Sequence, residues 1–173
     1  MPTASKSNAA PAKKSPAKSA AKAAGPDAIT LLMDDHKKVK KLFKEYEKLS
    51  KKEDIDGKVD IANQICEELT VHATVEEEIF YPAARAAIHA DDLLNEAEVE
   101  HATAKDLIAQ IQEMSGDDPM YDARMKVLSE YINHHVEEEE TEMFPKSRKA
   151  KMDLEGLAVE MMERKEELMA ELT

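Results

Sequence analysis

The stretch His72-Ala-Thr-Val-Glu76-Glu-Glu-Ile-Phe-Tyr-Pro82 has a second copy in the chain, His135-Val-Glu-Glu-Glu139-Glu-Thr-Glu-Met-Phe-Pro145. In each copy a Glu follows the His by four residues and a Pro follows it by ten, and the copies are offset by 63. A spacing of four places imidazole and carboxylate one turn apart on the same face of an α-helix, so both can reach one point. Ile61, Ile65 and Leu69 lead into His72, with Ile79 and Ala83 beyond Glu76. Leu128 and Tyr131 or Ile132 lead into His135, with Met143 beyond Glu139. Steps of three and four residues are those of a helical stripe. Each proline is expected to kink or end its helix.

Two further stripes flank these. Ile29, Leu32, His36, Val39, Phe43 and Tyr46 form one, and Leu94, Ala97, His101, Ala104, Ile108 and Ile111 the other. His36, Leu42 and Phe43 return as His101, Leu107 and Ile108, offset by 65. Gly57 and the run Ser115-Gly116-Asp117-Asp118-Pro119 mark loops. The chain therefore reads as two similar helical hairpins forming an all-α, antiparallel, up-down-up-down four-helix bundle over residues 27–150. Residues 151–173 read as a short C-terminal helix packed on the bundle through Leu157, Met161, Met162, Leu168 and Met169. Composition agrees: among 173 residues there are 4 Gly, no Trp and only 4% aromatics, which excludes a β-sandwich or barrel.

Charge divides the chain unevenly. Residues 1–26 hold five lysines and no acid in an Ala/Lys/Pro/Ser text that cannot bury a core, and are expected to be a disordered tail. That leaves 19 bases against 37 acids in the remainder, a net of −18. Such a body opposes nucleic acid contact, so only the tail offers a polyanion anchor. The one cysteine, Cys66, reads as a small core residue beside Ile65, excludes a disulfide framework and fits a reducing compartment. No apolar run approaches the ~20 residues of a membrane helix, and no secretory leader is evident, so a cytoplasmic location is expected.

The polar interruptions of the four stripes are all His or Glu. An unsatisfied charge or imidazole facing a core costs several kcal/mol. Taken singly, a His-x-x-x-Glu pair is usually a surface ion pair, and runs such as Glu76–Glu78 or Glu137–Glu140 are usually solvated faces. Here all six residues sit inside apolar stripes and the pattern occurs twice. His36, His72, Glu76, His101, His135 and Glu139 are therefore read as metal ligands, with two carboxylates able to bridge two ions. Nitrogen and oxygen donors discriminate poorly, so manganese and zinc suit the set as well as iron. The ferritin-like alternative needs Glu-x-x-His twice, and the chain has it once, at Glu98-x-x-His101.

With Asp35-His36 and Glu100-His101 added to the two His-x-x-x-Glu copies, the chain resembles the hemerythrin-like (HHE cation-binding) domain over roughly residues 27–150. The resemblance implies a four-helix bundle around a non-haem di-iron centre, two oxo- or hydroxo-bridged irons per chain. His36, His72, His101 and His135 would be terminal ligands, and Glu76 and Glu139 bridges. It implies a small ligand (oxygen, peroxide or nitric oxide) and a role in stress response or sensing. The alternative is iron or oxygen sensing or storage without turnover. Oxygen-carrying members place His-x-x-x-His on the third helix, whereas here Lys105 follows His101. One imidazole is missing unless Tyr or water replaces it, which favours peroxide or nitric oxide reactivity over reversible oxygen storage. Whether the chain is an enzyme stays open, with catalase-like peroxide decomposition the first activity to assay. No residue stands out as a general acid, although Tyr131, one turn before His135, could donate a proton or hydrogen bond. His134 falls outside the repeat, since Val71 is its counterpart, and His89 is expected on the surface.

Overall fold

The computed structural model describes residues 25–172; residues 1–24, which hold most of the expected tail, and Thr173 lie outside them. Helix α1 (Ala28–Lys51) begins at Asp27, whose side chain accepts from the Thr30 N–H at 2.8 Å and is gripped by the Arg148 guanidinium at 2.7 Å. The stripe Ile29, Leu32, His36, Val39, Phe43 and Tyr46 is buried along its whole length. Helix α2 (Ile55–Val75) follows a short turn. Gly57, expected in a loop, lies instead in the first turn of α2, where its N–H donates to the capping carboxylate of Asp54 at 3.0 Å.

The prolines do not end their helices. Glu76–Phe80 and Glu139–Met143 are single π-turns, closed by the Tyr81 N–H on the Glu76 carbonyl and the Phe144 N–H on the Glu139 carbonyl. A widened turn relieves the clash a proline makes with the carbonyl four residues back. The chain then continues as α3 (Tyr81–Ile88), and in the second hairpin as α6 (Phe144–Lys149) after α5 (Tyr121–Glu138). The extra residue in the turn rotates everything after it. Phe80, Tyr81 and Ala84 face the core, while Ile79 and Ala83, the positions the periodicity predicts, are only half-buried. In the second copy Phe144 joins Met143 in the core for the same reason.

Helix α4 (Asp91–Glu113) completes the four rods, and its predicted stripe from Leu94 to Ile111 is buried throughout. The first hairpin pairs α1 with α2 and the second α4 with α5, while α2 meets α4 and α1 meets α5. This is the expected antiparallel bundle. Helix α7 (Leu154–Leu172) lies across α1, α2 and the first π-turn through Ala158 and Met161. Met162, expected on that face, is 39% exposed, because Ala158 and Met161 set the docking stripe and Met162 turns away from it. No helix among the described residues is long and apolar enough to cross a membrane.

Two apolar clusters divide the interior. Val39, Phe43, Ile65, Cys66, Ile108 and Leu128 belong to one; Ile29, Leu32, Phe80, Leu94, Phe144 and Met161 belong to the other. The histidine of every rod falls at the junction between them.

Candidate metal centre

All six predicted side chains converge at that junction, and all are buried. His36, His72, Glu76 and Glu139 each offer a donor atom within 4.8 Å of the others. Glu76, His101 and His135 do the same on the other side, so the Glu76 carboxylate is shared. His36 Nε2 stands 3.2 Å from Glu139 Oε2, and His72 Nε2 stands 3.2 Å from Glu76 Oε1. These four atoms are within ion-pair distance yet none has a hydrogen-bonding partner. Buried polar atoms are rarely left so. Four buried nitrogen and oxygen donors gathered this closely without hydrogen bonds form an arrangement that a cation satisfies.

The outer nitrogens explain why the rings are held this way. His72 Nδ1 lies 3.3 Å from Asp35 Oδ2, His135 Nδ1 2.7 Å from Glu100 Oε2, His101 Nδ1 3.0 Å from Glu77 Oε1, and His36 Nδ1 2.9 Å from Glu140 Oε1. An ionised carboxylate can only accept, so each Nδ1 carries the proton and each Nε2 turns its lone pair inward when the ring is neutral. The four acids obey the repeat: Asp35 and Glu100 are offset by 65, Glu77 and Glu140 by 63. Each hairpin's leading acid holds a ring of its own hairpin, and each trailing acid holds a ring of the other. The two halves are thereby locked together. Sequence reading placed Glu77 and Glu140 among solvated acid runs. The shared offset was the signal that could have found them.

One polar group breaks the two-fold pattern. The Tyr81 hydroxyl donates to Glu139 Oε1 at 2.7 Å and lies 3.2 Å from His101 Nε2 and 3.4 Å from His135 Nε2. Its repeat counterpart is Phe144, which stacks on His36 as Tyr81 stacks on His101. A phenol oxygen thus stands in one half of the centre and a bare ring edge in the other. Tyr131 is not the tyrosine at the site; it lines a surface cleft with Glu96, Glu100 and His134. Lys105 points outward, and its ammonium binds both oxygens of Glu77 at 2.7 and 2.6 Å. It reinforces the acid that orients His101. His89 is exposed, in a left-handed conformation at the end of α3.

Burial opposes charge at His72, His135 and Glu76, and their neighbours overrule it. For His72, burial favours the neutral ring, but Glu76 and Asp35 push its pKa up to about 10. His135 is likewise pushed up to about 9 against burial by Glu139 and Glu100. Glu76, despite complete burial, is held well below the carboxylate range by His72 and His101. Burial, then Glu139 and Glu76, drive the Tyr81 phenol well above its usual value, so it remains a donor. Cys66 takes no part: burial raises its thiol to about 12. A cavity of ≈ 30 Å³ adjoins the four imidazoles and is otherwise lined by Val39, Leu69, Ala104, Ile108, Ile132 and Val136 among others. A water needs about 10–15 Å³ of such space, so only a very small molecule fits.

Comparisons with known proteins agree with this architecture. A crystal structure of a hemerythrin HHE cation-binding domain-containing protein from Mycobacterium kansasii superposes with a TM-score of 0.69. It is 24% identical and covers 83% of this chain and 88% of its own, a likeness of fold. A DNA nickase from Nostoc sp. (strain PCC 7120 / SAG 25.82 / UTEX 2576) is 33% identical over 110 residues, 64% of this chain. The chain spans only 30% of the nickase's length. The hemerythrin HHE cation-binding domain matches residues 27–147, most of the chain and all six converging side chains, and the chain belongs to that family.

Proposed function

We propose that the chain is a non-haem di-iron protein that binds or reacts with a small oxidant: oxygen, peroxide or nitric oxide. The carrying observation is that His36 Nε2, His72 Nε2, Glu76 Oε1 and Glu139 Oε2 are buried, face one another and hydrogen-bond to nothing. In this reading His36 and His72 would hold one ion and His101 and His135 the other, with Glu76, common to both donor groups, and Glu139 as the carboxylate ligands. Bound iron would supply one-electron chemistry and open coordination positions. The chain's own residues do the rest. Asp35, Glu77, Glu100 and Glu140 fix the ring orientations, the small and mainly apolar cavity, with Lys40 and Lys105 in its lining, admits only very small molecules, and Tyr81 presents a proton at Glu139.

Metal content per chain tests the assignment. His72→Ala and His135→Ala are expected to reduce bound iron from about two per chain to about one or fewer, while His89→Ala retains it. Equal iron in all three variants would overturn the ligand set. An optical spectrum of the loaded protein that peroxide perturbs, with gas evolution, supports turnover; an inert spectrum supports sensing or storage instead. Tyr81→Phe makes the two halves alike. It is expected to keep the metal, to change the visible spectrum of the loaded protein, and to cost the metal-free protein about 1–3 kcal/mol through loss of the buried bond to Glu139. Unchanged spectra would place the phenol outside the coordination sphere.

The nickase relative raises a nucleic-acid reading. Against it stand the net charge of −18 over residues 27–173 and the small share of the nickase that the chain spans.

A further inference from the structure

We infer that Glu100, His134 and Glu138 form a second, solvent-facing site for a divalent transition-metal ion, separate from the buried centre. Their donor atoms lie within 4.8 Å of one another. His134 Nε2 is 3.6 Å from Glu100 Oε1 and 3.4 Å from Glu138 Oε1, and none of these atoms is hydrogen-bonded to another. Glu100 is only 6% exposed, and its other oxygen, Oε2, is committed to His135 Nδ1. Oε1 is therefore the carboxylate's outer oxygen, within ion-pair distance of His134, in the wall of a cleft that Glu96 and Tyr131 also line.

The repeat shows what that oxygen lacks. Asp35 is the counterpart of Glu100: its Oδ2 takes the Nδ1 of His72, and its Oδ1 takes the ammonium of Lys165 from α7. The outer carboxylate of the first hairpin thus carries a cation on its second oxygen. In the second hairpin that oxygen faces His134 and Glu138. Their counterparts are Val71 and Val75, both buried, Val75 in the same cluster as Ala158 and Met161 of α7, and the counterpart of Glu96 is Leu31, packed against that cluster. The matching face of the second hairpin is open, with His134 itself 61% exposed. Apolar residues under a helix in one half are replaced by a histidine and two glutamates under solvent in the other. One imidazole and two carboxylates suit a borderline divalent ion such as Zn²⁺, with water completing its shell. The ion would fill the place that Lys165 fills in the first hairpin, and would steady Glu100 on His135.

Calorimetric titration of tag-free full-length protein with Zn²⁺, after the buried centre has been loaded with iron, tests this. One further equivalent is expected in the wild type and in His89→Ala, and it is expected to be lost in His134→Ala and Glu138→Gln, with iron content unchanged. No further equivalent in the wild type, or one that survives in His134→Ala, overturns the site. Because His134 and Glu138 touch none of the six central residues' inward-facing atoms, folding of these variants is checked by their retained iron. In His72→Ala the surface equivalent should persist whatever happens to the inner ions, which separates failure here from failure of the di-iron reading.

Discussion

Glu76→Gln is expected to lower the metal content to about one ion or fewer per chain and to erase most of the gain in melting temperature that metal confers. Glu76 is fully buried and offers Oε1 to the set containing His36 and His72, and Oε2 to His101. It is the carboxylate common to both donor groups. Glutamine keeps the volume and the helix, but it replaces one oxygen with a donor nitrogen and removes the charge that balances two cations. Binding free energy at such a site is also folding free energy, so losing the ions loses their stabilisation. Glu78→Gln is the matched control. Glu78 meets Arg164 of α7 at the surface, 2.6 Å away, and an exposed pair of this kind is worth about 0–1 kcal/mol. Melting curves with and without iron, together with metal analysis, check both variants. A Glu76→Gln protein that keeps its full complement and its full thermal gain would remove Glu76 from the centre.

Metal-free protein is expected to lose stability as pH rises from about 6.5 to about 10, by on the order of 10 °C in melting temperature. His72 titrates near 6.5 when unfolded and is raised to about 10 when folded, and His135 is raised to about 9. Between these values the folded chain holds protons that the unfolded chain has released. The stabilisation is therefore complete below pH 6.5 and disappears as pH climbs through the folded values. Glu76 acts in the opposite sense. Its depressed pKa contributes stability above the ordinary carboxylate range that is lost as pH falls below it. The metal-free optimum lies between these limits, in mildly acidic solution. Metal reverses the alkaline limb, because it binds only imidazoles that have shed the inner proton, so uptake strengthens as pH rises. Thermal melts at pH 6 and pH 9 check this, with the centre emptied or loaded before buffer exchange. A metal-free melting temperature that is flat or rises over that interval would contradict it.

Most of the fold was legible because two helices, α1 and α4, follow an undisturbed 3.6-residue period, and their buried residues fall where the stripes predict. The six central residues were legible because each interrupts such a stripe. What escaped was whatever depends on the π-turns or on the partner hairpin. Periodicity has no way to register an inserted residue, so Ile79 and Ala83 were expected inside where Phe80, Tyr81 and Ala84 are found. The placement of Tyr81 against Glu139 depends on that rotation and on the π-turn of the second hairpin, neither of which local sequence encodes. Glu77 and Glu140 look like members of acid runs because the rings they orient belong to the other hairpin. Met162 was misplaced because the C-terminal helix offers several apolar residues, and only docking selects among them.

The π-turns also set how tolerant each rod is of altered length. In a regular helix, one residue more or less turns the following segment by about 100° and shifts it by about 1.5 Å. Each π-turn is one such unit of twist, spent immediately after the glutamate of the centre. It aims the aromatic of Tyr81-Pro82 or Phe144-Pro145 back toward the imidazoles instead of past them. Shortening either rod by a single residue there would make a more regular helix, yet it would swing the aromatic wall away from the rings and carry α3 or α6 off its neighbours. Local helical regularity and a closed centre are competing demands on the same five residues, and in both copies the centre prevails.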